Sequence, residues 1–137
     1  MILLKFDEFR NYIQSLNKEL SGKMTSMQEL QSFLDMQYPN ECQVIIKDQK
    51  ITKPIAIIGV LDLSLASTHW TCLLDNIYID SFGIVPPSEV WNQVKIDYIN
   101  TNKFQNFNSS LCGIYCLYMI YVYKNNPQLL NSVILRM

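Results

Sequence analysis

Phe6, Phe9, Ile13, Leu16 and Leu20 recur at steps of three and four, one face of an amphipathic helix predicted over residues 5–20. Ser21-Gly22-Lys23 ends it. Ser26 and Glu29 form a capping-box pattern, so a second helix starts there, with Met27, Leu30 and Leu34 facing inward and the run from Tyr38 to Glu41 as its stop. The period then changes. "CQVIIK" and "PIAIIGVLDL" are short, β-branched runs and predict strands. "HWTCLL" and "IYIDSF" follow, joined by Asp75-Asn76, a hairpin signal. Pro86 and Pro87 make "GIVPPSEVW" a loop, and "VKIDYI" can add a further strand. After the polar loop "NTNKFQNFNSS", residues 111–125 predict a helix, and residues 128–136 a short last one behind Pro127. The expected fold is α+β, a mainly antiparallel central sheet flanked by helices. It divides into an N-terminal helical part (1–40), a core (41–126) and a short C-terminal helix (127–137).

The hairpin has a consequence for side-chain placement. If Asp75-Asn76 is a two-residue turn, Leu74 faces Ile77, Leu73 faces Tyr78 and Thr71 faces Asp80. Alternation then puts His69, Thr71 and Leu73 on one face with Tyr78, Asp80 and Phe82. His69, the chain's single histidine, becomes a diagonal neighbour of the Asp80 carboxylate.

Composition narrows the function. The 137 residues make one domain with a sizeable core. A net charge of −1 with scattered Lys and Arg gives no basic stripe, so nucleic acid is not an expected partner. "MILL" is followed at once by "KFDEFRNY", so no secretory leader is expected, and the apolar run 111–123 is too short for a membrane span. Four cysteines in such a chain point to a reducing compartment rather than to disulfides.

One of those cysteines is placed unusually. Cys112 sits at the seam between a polar loop and an apolar helix, where the partial positive charge of a helix N-terminus favours thiolate. Singly, Cys112, His69 and Asp80 each have an ordinary reading: a core thiol, a surface or core imidazole, a strand-ending carboxylate. Jointly they are the three parts of a thiol-nucleophile site. Zinc is the rival, since "HWTC" and "CGIYC" offer His69, Cys72, Cys112 and Cys116. Yet His69 and Cys72 differ by three on a strand and point to opposite faces, and no Cys-x-x-Cys knuckle occurs, so no metal or other cofactor is expected.

"HW", then "DSFG", then "QNFNSSLCGIYC" resembles the adenovirus-type cysteine endopeptidases (adenain) over about residues 55–120. Their clan also holds the ubiquitin-like-protein proteases and has a papain-like layout permuted in sequence, with His first, the acid second and Cys last. Gln105 lies seven residues before Cys112, as in the adenovirus branch, and Asn108 and Ser109 fit that branch too. Its glutamate is replaced here by Asp80. The resemblance implies that Cys112 is the nucleophile, His69 its general base and acid, and Asp80 the group that orients the imidazole. Gln105 with the Cys112 backbone N–H would stabilise the oxyanion, and Trp70 and Gly113 would contact the substrate.

The activity so implied is thiol-protease processing of the capsid or core precursors of a virus or virophage, with cleavage after small residues such as Gly. It would take place in the virion or the host cytoplasm or nucleus. Two alternatives stand beside it: deconjugation of ubiquitin-like modifiers, and a catalytically silent, capsid-associated peptide binder. There are departures from the family. Residues 81–104 contain no cysteine, so the activating disulfide of the adenovirus enzyme is not expected, and the net charge argues against its DNA cofactor. Only 25 residues follow Cys112, so the apolar tail is expected to dock either on its own core or on a partner such as an activating capsid protein.

Overall fold

A computed structural model describes residues 3–16, 26–62, 67–100, 102–103 and 111–137. Helices α1 (Phe6–Leu16) and α2 (Met27–Gln37) precede four strands: β1 (Cys42–Ile46), β2 (Ile55–Asp62), β3 (Ser67–Leu74) and β4 (Ile77–Ile79). Helix α3 (Ser88–Trp91), β5 (Tyr98–Asn100), α4 (Cys112–Asn125), a 3-10 helix (Pro127–Ser132) and β6 (Ile134–Arg136) complete the described elements. The molecule is thus an α+β fold around an open six-stranded sheet in sequential order, β1 to β6.

The expectation of a mainly antiparallel sheet holds in part. β2–β3, β3–β4 and β5–β6 are antiparallel, while β1–β2 and β4–β5 are parallel, so the sheet is mixed. The parallel β1–β2 pair is made by a short return over residues 47–54. Side chains hold that return: Gln43 accepts from Thr52 N–H and donates to the Lys50 carbonyl. The outer edge of β1 is also occupied by side chains. Val44 N–H donates to Gln31 Oε1 at 2.8 Å, Gln31 Nε2 donates to the Cys42 carbonyl at 3.3 Å, and Ile46 N–H donates to Gln49 Oε1 at 3.0 Å.

Sequence signals reappear as geometry. Ser26 and Glu29 exchange both bonds of the capping box at the start of α2. The hairpin has the expected register, Leu74 opposite Ile77 and Leu73 opposite Tyr78, with Asp75 at φ 57° in the turn. Two elements differ from expectation. Pro87 sits at the N-cap of α3 rather than within a loop, because a proline costs nothing at a helix start. The predicted C-terminal helix is a 3-10 helix followed by a strand. Val133, Ile134 and Leu135 suit an extended backbone, and the free edge of β5 supplies partners: Ile99 pairs with Leu135 and Asn100 with Ile134. The tail therefore packs on its own sheet, with Leu130 buried.

The sheet has a core on each face. α1, α2 and α4 cover one, where Phe9, Leu30, Leu34, Ile57, Trp70, Cys72, Leu74, Ile114 and Ile120 pack. On the other, Ile45, Ala56, Ile58, Leu73, Tyr78, Val90 and Ile96 form a smaller cluster. α4 buries residues on several sides, as a central helix must. α1 closes over it: Phe6 stacks on Tyr115 at 4.1 Å, and the Tyr118 and Tyr121 hydroxyls bond the Leu4 backbone. Among the described residues no helix is long and apolar enough to cross a membrane.

Candidate active site

Three elements deliver three side chains. β3 carries His69, the residue after β4 is Asp80, and α4 begins at Cys112. The β3–β4 ladder ends at Cys72–Ile79, so Asp80 stands one position beyond it, free to turn its carboxylate toward His69. His69 Nε2 and Asp80 Oδ1 are 2.6 Å apart, and both residues are buried, at 3% and 2% exposure. Such closure matters because a His–carboxylate pair shielded from water interacts far more strongly than one at the surface.

Neighbouring groups set the orientation of both partners. Phe82 lies flat on the imidazole, with centroids 3.9 Å apart and planes within 3°. Its N–H donates to the same Asp80 oxygen at 2.8 Å. Hairpin parity puts Phe82 on the face of His69. Gly83 then turns the chain at φ 74°, a conformation that suits a residue without a side chain, and its N–H donates to the Asp80 carbonyl.

Cys112 is the first residue of α4, and its Sγ accepts from the Trp70 backbone N–H at 3.4 Å. The thiol thus lies against β3 beside His69. Burial alone would lower the histidine pKa. The Asp80 hydrogen bond, the Cys112 thiol and the charges of both groups outweigh it and raise the value from 6.5 to about 9. His69 Nδ1 makes no hydrogen bond among the described residues, which leaves it as the ring nitrogen able to exchange a proton.

The other cysteines have different surroundings. Burial and then Glu41 push Cys42 up to about 11. Burial and then a bond with Cys72 push Cys116 well above the usual thiol range. All four thiols are free and buried.

The remaining expected site residues divide. Trp70 is buried, and its ring edge packs over Gly59, where an added Cβ would stand 2.9 Å from the ring and 2.8 Å from the Thr68 methyl. Its backbone N–H reaches Cys112 Sγ. Gly113 is buried in the first turn of α4. Gln105, Asn108 and Ser109 lie outside the described residues. His69, Asp80 and Cys112 are therefore brought together, and Trp70 adjoins them. Asn100 was not foreseen. It is a buried polar residue whose side chain bonds the Asp80 backbone, and nothing in "KIDYIN" marks it out.

Among the described residues no group of three or more His, Cys, Asp or Glu side chains is disposed to hold a metal ion. No protein-family model, curated protein or solved structure matches the chain.

Proposed function

We propose that this protein is a cysteine endopeptidase. The observation that carries the reading is the buried His69–Asp80 bond of 2.6 Å set beside a thiol at the head of α4. A core histidine needs no carboxylate at that distance together with a second ring nitrogen left unbonded near a thiol. A peptidase needs all three.

The chemistry follows from the placement. Cys112 Sγ attacks the scissile carbonyl carbon while its proton resides on His69 Nδ1. The tetrahedral oxyanion is held by the Cys112 backbone N–H, with Gln105 as the second donor that the sequence resemblance implies. His69 delivers the proton to the leaving amine as the C–N bond breaks, leaving a thioester. Water then attacks the thioester carbonyl, giving its proton to His69 as the C–S bond breaks, and the acid is released. Asp80 holds the ring in one tautomer and stabilises its cationic form throughout. The order of parts, His on β3, acid after β4 and Cys at a helix packed on the sheet, supports reading the fold as the permuted papain-like one.

Substrate class rests on the sequence resemblance: capsid or core precursors of a virus or virophage, cut after small residues. Mass spectrometry of such precursors incubated with the purified protein tests it, beside Cys112→Ala and His69→Ala arms. New termini after Gly with the parent, and none with either variant, are expected. Intact precursors alongside cleaved conjugates of a ubiquitin-like modifier would replace the substrate class and keep the chemistry. No cleavage of precursors, conjugates or a Gly-Gly peptide would refute the peptidase reading.

A further inference from the structure

The Asp80 carboxylate can orient His69 only if the backbone that carries it is itself fixed, and Asp80 lies past the last rung of its strand. β4 pairs with β5 through Ile77–Tyr98 and Tyr78–Ile99, and the ladder stops there. What holds the next residue is a side chain. Asp80 N–H donates to Asn100 Oδ1 at 2.8 Å, and Asn100 Nδ2 donates to the Asp80 carbonyl at 2.6 Å. A carboxamide presents the same donor and acceptor as a peptide group, so Asn100 continues the sheet by one rung with its side chain. Nδ2 also reaches the Asn102 carbonyl at 3.1 Å. The clamp is 2% exposed, and the Asn100 backbone is tied on its other side to Ile134 of β6.

We infer that Asn100 is a positioning residue of the active site. Its amide clamps the backbone of Asp80 and so sets the Asp80–His69 bond on which the proposed catalysis rests. Both contacts of the clamp are short and buried, and hydrogen bonds in such surroundings are stiff and costly to leave unmade. Asp80 Oδ1 has the Phe82 N–H besides His69, and the Asp80 carbonyl has the Gly83 N–H besides Asn100. The Asp80 N–H has Asn100 alone among the bonds described for it, so loss of the amide frees the strand end where the carboxylate begins.

His69 is the only histidine in the chain, so proton–nitrogen correlation spectra report its titration without overlap. The parent midpoint is expected near pH 9. In Asn100→Ala the Asp80–His69 bond loosens, and the midpoint should fall by roughly one pH unit, a typical share of what a well-placed carboxylate contributes. Asn100→Ser keeps a small polar group and should shift it in the same direction by less. Ile13→Val, which thins the core under α1, should leave the midpoint in place. A merely structural asparagine would lower stability, as Ile13→Val does, without moving the titration. An unchanged midpoint in folded Asn100→Ala, or in Asn100→Ser should the alanine variant not fold, overturns the assignment. The titration uses no substrate. A moved midpoint in a protein that cleaves nothing upholds Asn100 and counts against the peptidase reading, while an unmoved one in an active enzyme does the reverse.

Discussion

Replacing Asp80 by Asn should change how stability depends on pH, in a window that belongs to His69. The folded protein raises the His69 pKa from 6.5 to about 9, so it favours the protonated ring. That stabilisation is complete below pH 6.5 and is lost as pH rises to about 9, amounting to about 3 kcal/mol over the window. The other raised groups titrate higher. Cys42 rises from 9.0 to about 11, and Tyr38 and Tyr123 from 10.0 to about 12, so their losses begin at pH 9 or above. Urea unfolding at half-unit steps from pH 6 to 9 measures the effect, in chains carrying Cys112→Ala so that a thiolate formed on folding does not offset the proton gained by His69. With Asp80 in place, stability should fall across the window with a slope of at most about 1.4 kcal/mol per pH unit, the limit for one proton. In Asp80→Asn on that background, burial acts with neither the carboxylate nor the thiol and drives the pKa below 6.5, so the curve should be flat from pH 6.5 to 9 and fall only on the acid side. Parallel curves for parent and variant would refute the view that Asp80 sets the charge state of His69.

Three further outcomes are expected. Brief iodoacetamide treatment near neutral pH should label Cys112, at a helix start beside His69, ahead of Cys42, Cys72 and Cys116, since burial pushes the Cys42 and Cys116 thiols up; equal labelling would remove Cys112 as nucleophile. Gln105→Ala should leave folding intact and lower turnover about 10²–10³-fold, as loss of one oxyanion donor does; turnover at the parent rate would make Gln105 an ordinary loop residue. Gly59→Ala forces a Cβ against Trp70 and Thr68 and should cost about 1–3 kcal/mol in thermal or urea unfolding; it should also slow Cys112 labelling, because the Trp70 N–H holds that thiol.

The His–Asp pair was legible because alternation and a two-residue turn fix parity without knowledge of the rest of the fold. Leu73 opposite Tyr78 follows from the Asp75-Asn76 turn, and His69 beside Asp80 follows from that. Capping at Ser26 was equally local. What escaped was set by distant partners. Val133, Ile134 and Leu135 fit a helix or a strand, and only the free edge of β5 decides between them. The parallel pairing of β1 and β2 comes with a short return braced by the Gln43 side chain, which no periodicity records. Asn100 was invisible for the same reason: an asparagine ending a strand is commonplace, and its role exists only because Asp80 lies across from it.

The glutamines along β1 bear on how the molecule behaves in company. Gln31 and Gln49 engage the outward-pointing Val44 and Ile46 N–H groups, and Gln31 also takes the Cys42 carbonyl. An arriving strand would find its docking bonds on this side already made and would have to evict two side chains, one of them anchored on α2, to form its own. Lateral growth of the sheet, whether by a stray peptide or by another copy at high concentration, is therefore disfavoured at β1. Among the described residues the opposite border is β6, which already carries the exposed Arg136, and a proline substitution there would guard that side against stacking edge to edge.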